Sequence, residues 1–121
     1  MKTANLTGAL LDYHTARAEG VPDADLEFRA TGSLCVRVLR NGPAGIDGVM
    51  VLDYSTNWAL TGPLVEKHTV ELENPVDPVR WRAIHWGAAG WTDAEGDTPL
   101  IAICRAVVRA AFGDEVEDLP C

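Results

Sequence analysis

Glu66 and His68 stand two residues apart, and on an extended strand that spacing puts a carboxylate and an imidazole on one face with Leu64, Val70 and Leu72. Side by side on a half-buried face, the two would shift each other's pKa and could pass a proton. The commoner role of such a pair is a structural hydrogen bond at the rim of a sheet. A second polar group, Ser55-Thr56-Asn57-Trp58, leads out of an apolar run and is followed by Gly62-Pro63. That is the composition of a loop that a rigid scaffold presents to a ligand, or of a turn that folds Trp58 back over the core. Trp81, Trp86 and Trp91 bring the tryptophans to four, more than the packing of so small a domain requires, and tryptophan near a surface commonly serves a partner. Trp58, Trp86 and Trp91 would suit such a role if one end of a sheet gathers them. Arg80 and Arg82 flank Trp81, a mixture of cation and aromatic that suits nucleic acid. Alternate positions on a strand, however, put both arginines on one face, where acids across the strand can pair with them. His85, beside Trp86, reads as a strand histidine with a satisfied ring nitrogen.

Other chemistries lack their residues. The chain has no Gly-x-Ser-x-Gly, no His-Glu-x-x-His, no phosphate-binding loop and no dinucleotide fingerprint, and Gly87-Ala88-Ala89-Gly90 has neither the spacing nor the preceding pattern to cradle a phosphate. Cys35, Cys104 and Cys121 form an odd, widely separated set, so neither a disulfide framework nor a metal site is expected, and no cofactor. Cys35 and Cys104 lie in apolar runs and read as reduced packing residues, Cys121 as an exposed terminal thiol. Ten cations against 18 anions give a net charge of −8. The excess lies in residues 41–78 and after Gly113, and an acidic surface repels a polyphosphate, which makes nucleic acid an unfavoured partner. No run approaches the ~20 apolar residues that cross a bilayer, and the first 20 residues lack the apolar core of a signal peptide, so a cytoplasmic location without membrane contact is expected.

The elements that would position these residues follow from periodicity. At 121 residues, 47% hydrophobic and 23% charged, the chain reads as one globular domain, 1–121, with residues 114–121 as an acidic, mobile tail. Residues 4–19 carry Leu6, Leu10, Tyr13 or His14, and Arg17 at helical spacing, with Gly20 as terminator. The period then becomes two. Leu26, Phe28 and Ala30 precede a turn at Thr31-Gly32-Ser33, and Leu34, Val36 and Val38 continue the inward face of a hairpin. Residues 41–48 form a loop, Val49–Leu52 a short strand, and Leu64–Leu72 and Val79–Trp86 two more across Asn74–Pro78. Gly87–Gly96 reads as turns. Thr98 caps a helix with Pro99 in its first turn, and Leu100–Phe112 runs to Gly113 with Arg105 and Arg109 on its wet face. The expected fold is α+β: two layers, an antiparallel sheet of four to five strands with the N- and C-terminal helices packed on one face, in α-β-β-β-β-(β)-α order.

Three segments carry a family resemblance. Leu6-Thr7-Gly8-Ala9-Leu10-Leu11-Asp12 with Ala16-Arg17-Ala18-Glu19-Gly20, Tyr54-Ser55-Thr56-Asn57-Trp58 with Gly62-Pro63-Leu64-Val65-Glu66, and Thr98-Pro99-Leu100-Ile101-Ala102 with Phe112-Gly113-Asp114-Glu115-Val116 resemble, in order, the NinX-like proteins of phages and prophages. The resemblance implies a phage or prophage origin in a bacterial host and attaches no molecular activity. Members commonly carry a Ser/Thr-Asp-Trp version of the central motif. Asn57 stands here where the acid would be, and asparagine serves a turn but cannot act as base, nucleophile or carboxylate ligand.

These readings favour an accessory protein that works without catalysis, as a protein-interaction module for a host or phage partner, through a site drawn from Ser55, Thr56, Asn57, Trp58, Glu66, His68, Trp86 and Trp91. Two alternatives belong to other classes: a nucleic-acid binder using Arg80, Trp81 and Arg82, and a small-molecule binder or small enzyme at Asn57, Trp58, Glu66 and His68, which requires a pocket joining them. The chain would be a monomer or a weak dimer.

Overall fold

A computed structural model describes residues 1–40, 45, 47–74, 80–88 and 90–117. Its elements are α1 (Gly8–Ala18), β1 (Leu26–Arg29), β2 (Leu34–Leu39), β3 (Gly48–Val51), α2 (Trp58–Lys67), β4 (Val70–Glu73), β5 (Trp81–Gly87), β6 (Gly90–Gly96) and α3 (Pro99–Phe112). The fold is α+β, but the single sheet of four to five strands is corrected to two antiparallel sheets of three, in the orders β1-β2-β3 and β4-β5-β6.

The division has its origin in α2, the element read as the start of a strand from Leu64. Pro63 and Gly62 argue against a helix, since an interior proline forfeits one backbone bond and clashes with the preceding turn. The cap and the burial outweigh them. Asn57 Oδ1 accepts the N–H of Ala59 at 2.9 Å and opens the helix, and Thr61 and Leu64, one turn apart, are buried. Only after His68 and Thr69 does the chain extend into β4. The stretch 87–96 is likewise not a series of turns. Gly87 pairs with Gly90 and Trp86 with Trp91, so the glycines close a tight hairpin whose return arm is β6.

α1 begins at Gly8 rather than residue 4, because Thr3–Asn5 forms a separate 3-10 turn. It is buried nearly all round, from Ala9 through Ala16, because β2 covers one side and α3 the other. In the first sheet β2 buries residues on both faces rather than on one. Phe28 lies opposite Cys35, so Cys35 shares the face of Leu26 and Phe28, while Val36 and Val38, buried as expected, lie with Leu34 on the opposite face. Leu6, Leu11, Tyr13, Leu26, Cys35, Leu52, Leu64, Cys104 and Val108 belong to one core. A second core under the β4-β5-β6 sheet contains Val70, Ala83, Ala102, Ile103, Ala106 and Val107. α3 thus contributes to both, Cys104 and Val108 on one side and the intervening residues on the other. Cys35 and Cys104 are reduced, and burial pushes both thiols up to about 12.

Arg105 is not on a wet face. It is buried, and its guanidinium donates to Leu6 O at 2.9 Å and to Glu95 O at 2.8 Å, joining the N-terminal segment and β6 through α3. Residues 114–117 hydrogen-bond to the N-terminal segment and α1: Thr3 N–H donates to Asp114 O, Lys2 bridges Glu115, Val116 N–H donates to Met1 O, and Glu117 O accepts from His14 Nε2 at 3.1 Å. Residues 118–121, Cys121 among them, lie outside the described residues, as do parts of the expected loops at 41–48 and 74–78.

Candidate functional site

The outward face of the second sheet follows from its hydrogen bonds and register. Trp86 N–H donates to Thr69 O, so the alternation of an antiparallel ladder turns the backbone groups of Arg82, Ile84 and Trp86 toward β4 and those of Trp81, Ala83 and His85 toward β6. Side chains alternate as well. Ala83 and Trp81 pack on α3, so Arg82, Ile84 and Trp86 point away from it, together with Glu71 and Glu73 of β4 and Trp91, Asp93 and Glu95 of β6, their cross-strand partners. Trp86 and Trp91 face each other there, both about half exposed, with ring centroids 6.5 Å apart and planes at 49°. Arg82 Cζ lies 5.8 Å from the Trp91 centroid, its Nε 2.8 Å from Asp93 Oδ2 and its Nη1 3.2 Å from Glu73 Oε2. A guanidinium held by two carboxylates over an indole fixes the orientation of that ring. Ile84 fills the centre of the face and is buried. The result is an indole pair at the hairpin end of the face, with four acids flanking Ile84 and Arg82 in the next two rows and Arg82 already paired.

The remaining residues singled out in the sequence divide among three places. Ser55 is buried, and its N–H donates to Asp12 Oδ1 at 2.7 Å. Thr56 is exposed, and Asn57 spends both ends of its amide locally, accepting from Ala59 N–H and donating to Asp53 Oδ1 at 3.1 Å. Trp58 begins α2 and is half exposed. Glu66 and His68 lie at the other end of this helix, about 15 Å away at 1.5 Å per residue, so the four do not meet in one pocket. Nor do Glu66 and His68 share a strand face: Glu66 is exposed on the last turn, and His68 caps the helix.

His68 has other partners. Its Nε2 lies 2.6 Å from Glu19 Oε2, and its Nδ1 3.0 Å from His85 Nε2. Lys67 Nζ holds the second oxygen of Glu19 at 2.8 Å. A proton on His68 Nε2, directed at the carboxylate, leaves Nδ1 to accept from His85. Burial acts to raise the pKa of Glu19, but the hydrogen bonds from Lys67 and His68 prevail and lower it. Burial, and then the neighbouring His68, lower the pKa of His85. The three form a line of proton-carrying groups from the end of α1 through the end of α2 to β5. No spacing in the sequence announces it, since Glu19, His68 and His85 come from three elements. Asp12 was equally silent as a mid-helix acid. Burial raises its pKa to about 6 against the lowering effect of the Ser55 hydrogen bonds.

Arg80, just before β5, and Arg82 within it are both paired, Arg80 with Glu95 at 3.4 Å and Asp97 at 3.7 Å, while Trp81 turns to the core side. The cation-aromatic-cation run is therefore split between the two faces of the sheet. A cavity of about 670 Å³ lies along the free edge of β6, between Asp93–Glu95, Arg80 and Arg109 on one side and Lys2–Asn5, Asp114 and Glu115 on the other. Its lining is of mixed charge, and Arg109 within it is paired with Asp93 and Asp114. Another, of about 380 Å³, reaches from Arg109 and Asp114 to Trp91. Neither is lined by Glu66 or His68. Among the described residues, no group of three or more His, Cys, Asp or Glu is placed to hold a metal ion, and no helix is long and apolar enough to cross a membrane.

No curated protein matches the chain. The family described as Bacteriophage P22, NinX matches residues 2–110, a span that includes all three helices but for the last two residues of α3, both sheets and the Trp86–Trp91 face, and the chain belongs to that phage family.

Proposed function

We propose that this phage-family protein is a non-catalytic protein-interaction module of the bacterial cytoplasm, and that its contact surface is the outward face of β4-β5-β6, anchored on Trp86 and Trp91. One observation carries the reading: two half-exposed indoles stand side by side at the hairpin end of the sheet, one of them braced by an ion-paired arginine, with Glu71, Glu73, Asp93 and Glu95 in the next two rows of the same face. Tryptophan contacts fixed before binding cost little ordering entropy, and such residues commonly dominate interface energies. The acids define the complement. A protein segment with an apolar side chain for the indoles, flanked by Lys or Arg, fits the patch, whereas a polyphosphate would meet like charge. Trp58 belongs to a separate surface in this reading, and Ser55 and Asn57 serve to build the start of α2.

The test is affinity capture from nuclease-treated lysate of a bacterial host, with the chain compared against Trp86→Ala and Trp91→Ala. Loss of an interface tryptophan costs roughly 2 kcal/mol or more, about 30-fold in affinity. A specific protein retained by the parent, lost from both variants and released as salt is raised supports the proposal. Retention of the same set by both folded variants refutes it.

A further inference from the structure

Each sheet has edges, and the fold treats two of them differently. On β6 the backbone groups of Asp93 and Glu95 point outward by the ladder alternation, and their carbonyls are taken by α3: Arg109 Nη1 donates to Asp93 O and Arg105 Nη1 to Glu95 O, both at 2.8 Å. That edge is charged and partly capped, as edges that must not pair usually are. β3 is the opposite. Leu52 N–H donates to Cys35 O, so the alternation directs the backbone groups of Met50 toward β2 and those of Val49 and Val51 away from the sheet. Val49, Met50 and Val51 are 47%, 42% and 43% exposed, and Gly48 is exposed as well. Among the described residues no hydrogen bond reaches the outward groups of Val49 and Val51 from another element. The strand Gly48-Val49-Met50-Val51 carries no charge on either face.

We propose that the β3 edge is a self-association surface, on which the β3 strand of a second copy of this chain adds antiparallel across a two-fold axis and joins the two β1-β2-β3 sheets into one of six strands. Two arguments name the occupant. The first is electrostatic: each copy carries a net charge of −8, and β3 is a neutral edge along which two such chains can approach without opposing acids. A charged partner finds nothing on it to pair with, whereas an identical apolar strand is matched in length and polarity. The register follows from the same rule. A two-fold at Met50 sets Asp47 opposite Asp53 of the other copy. One at Val49 sets Val49 against Val49 and Met50 against Gly48, and uses the outward groups of both valines. The second argument is size. Four residues of strand fall well short of the roughly 1,200 Å² that stable dimers bury, so the association is weak and concentration-dependent, and it strengthens as salt screens the net charge. This surface is separate from the Trp86–Trp91 face.

Sedimentation equilibrium of the full chain under reducing conditions tests the proposal directly. The weight-average mass is expected to rise with concentration from 13.0 kDa toward twice that value, more steeply in high salt. Val49→Pro removes an outward N–H without breaking a bond to β2, and Val49→Lys places a charge at the axis; both are expected to remain at the monomer mass with an unchanged circular dichroism spectrum. Amide exchange of the unmodified chain supplies a readout that needs no variant: protection of the Val49 and Val51 amides should increase at least tenfold between dilute and concentrated samples, while that of Met50 should not. A mass fixed at the monomer value up to about 1 mM, association beyond a dimer, variants that associate like the parent, or valine amides indifferent to concentration would overturn it.

Discussion

Replacing Asp12 by asparagine should stabilise the protein above pH 6 and change its response to pH. Asp12 is only 6% exposed, and its pKa is raised from 3.8 to about 6 by burial, against the lowering effect of the hydrogen bonds from Ser55. A carboxyl raised in the folded state favours folding while it is protonated. That contribution is complete below about 3.8, declines as the pH rises to about 6, and is absent above. Roughly two pKa units at 1.36 kcal/mol each make the ionised form about 3 kcal/mol costlier than the protonated one. Asparagine keeps an oxygen to accept the Ser55 N–H, 2.7 Å away in the parent, and cannot ionise. Urea unfolding of both proteins at pH 4 and pH 7.5 isolates the effect, because any packing difference of the amide appears at both values. The stability of Asp12→Asn relative to the parent should improve by about 2 to 3 kcal/mol from the lower pH to the higher. A difference that stays constant with pH, or moves the other way, would refute the reasoning.

Arg105→Ala should cost about 3 kcal/mol or more in urea unfolding, because it orphans the carbonyls of Leu6 and Glu95 and leaves a void in a buried site. Gly96→Ala should destabilise by at least about 2 kcal/mol, since its methyl would lie 2.8 Å from both Ala102 N and Ile101 Cγ2; thermal melts will show it. Thr31→Gly should add about 1 kcal/mol, because Thr31 sits at φ 56° in the β1–β2 turn, a conformation costly for a branched side chain. Glu19→Gln should lose about 1 to 2 kcal/mol at neutral pH through its bonds to Lys67 and His68. Because the Glu19 pKa is lowered, that contribution is present above its unfolded value and fades as the pH falls through the folded one, so parent and variant should converge as the pH falls below the ordinary glutamate range.

What the sequence disclosed of this fold was local. The Thr98-Pro99 start and Gly113 end of α3 and the β1–β2 hairpin are written in caps and alternation, and the structure has Thr98 Oγ1 accepting the N–H of Ile101 and Leu26–Arg29 paired with Leu34–Arg37. The failures have a common physical origin in tertiary contacts. Gly62-Pro63 announces a turn, yet the burial of Thr61 and Leu64 holds a helix through it. Arg105 and Arg109 are chemically alike, and only the position of the Leu6 and Glu95 carbonyls makes one of them a core residue. Trp86 and Trp91 were legible as exposed candidates, but their pairing depended on recognising β6 as a strand. The Glu19–His68–His85 line and the Asp12–Ser55 bond were illegible, since each joins residues far apart in the chain.

The position of α3 between the two cores bears on how the protein comes apart. Neither three-stranded sheet has an apolar cover that excludes α3: Cys104 and Val108 complete the core over β1-β2-β3, and Ala102, Ile103, Ala106 and Val107 supply most of the one over β4-β5-β6. Peeling this one helix away would strip β4-β5-β6 directly and uncover α1, the helix that covers β2, so no intermediate with a single intact sheet gains the burial needed to persist, and unfolding becomes one cooperative event. The slowest-exchanging amides should accordingly lie in α3 and in the central strands β2 and β5, at a common free energy equal to that of global unfolding. Folding inherits the same constraint: hairpins that form early must await a helix distant in sequence, and the rate is set by that long-range closure rather than by the speed of any hairpin.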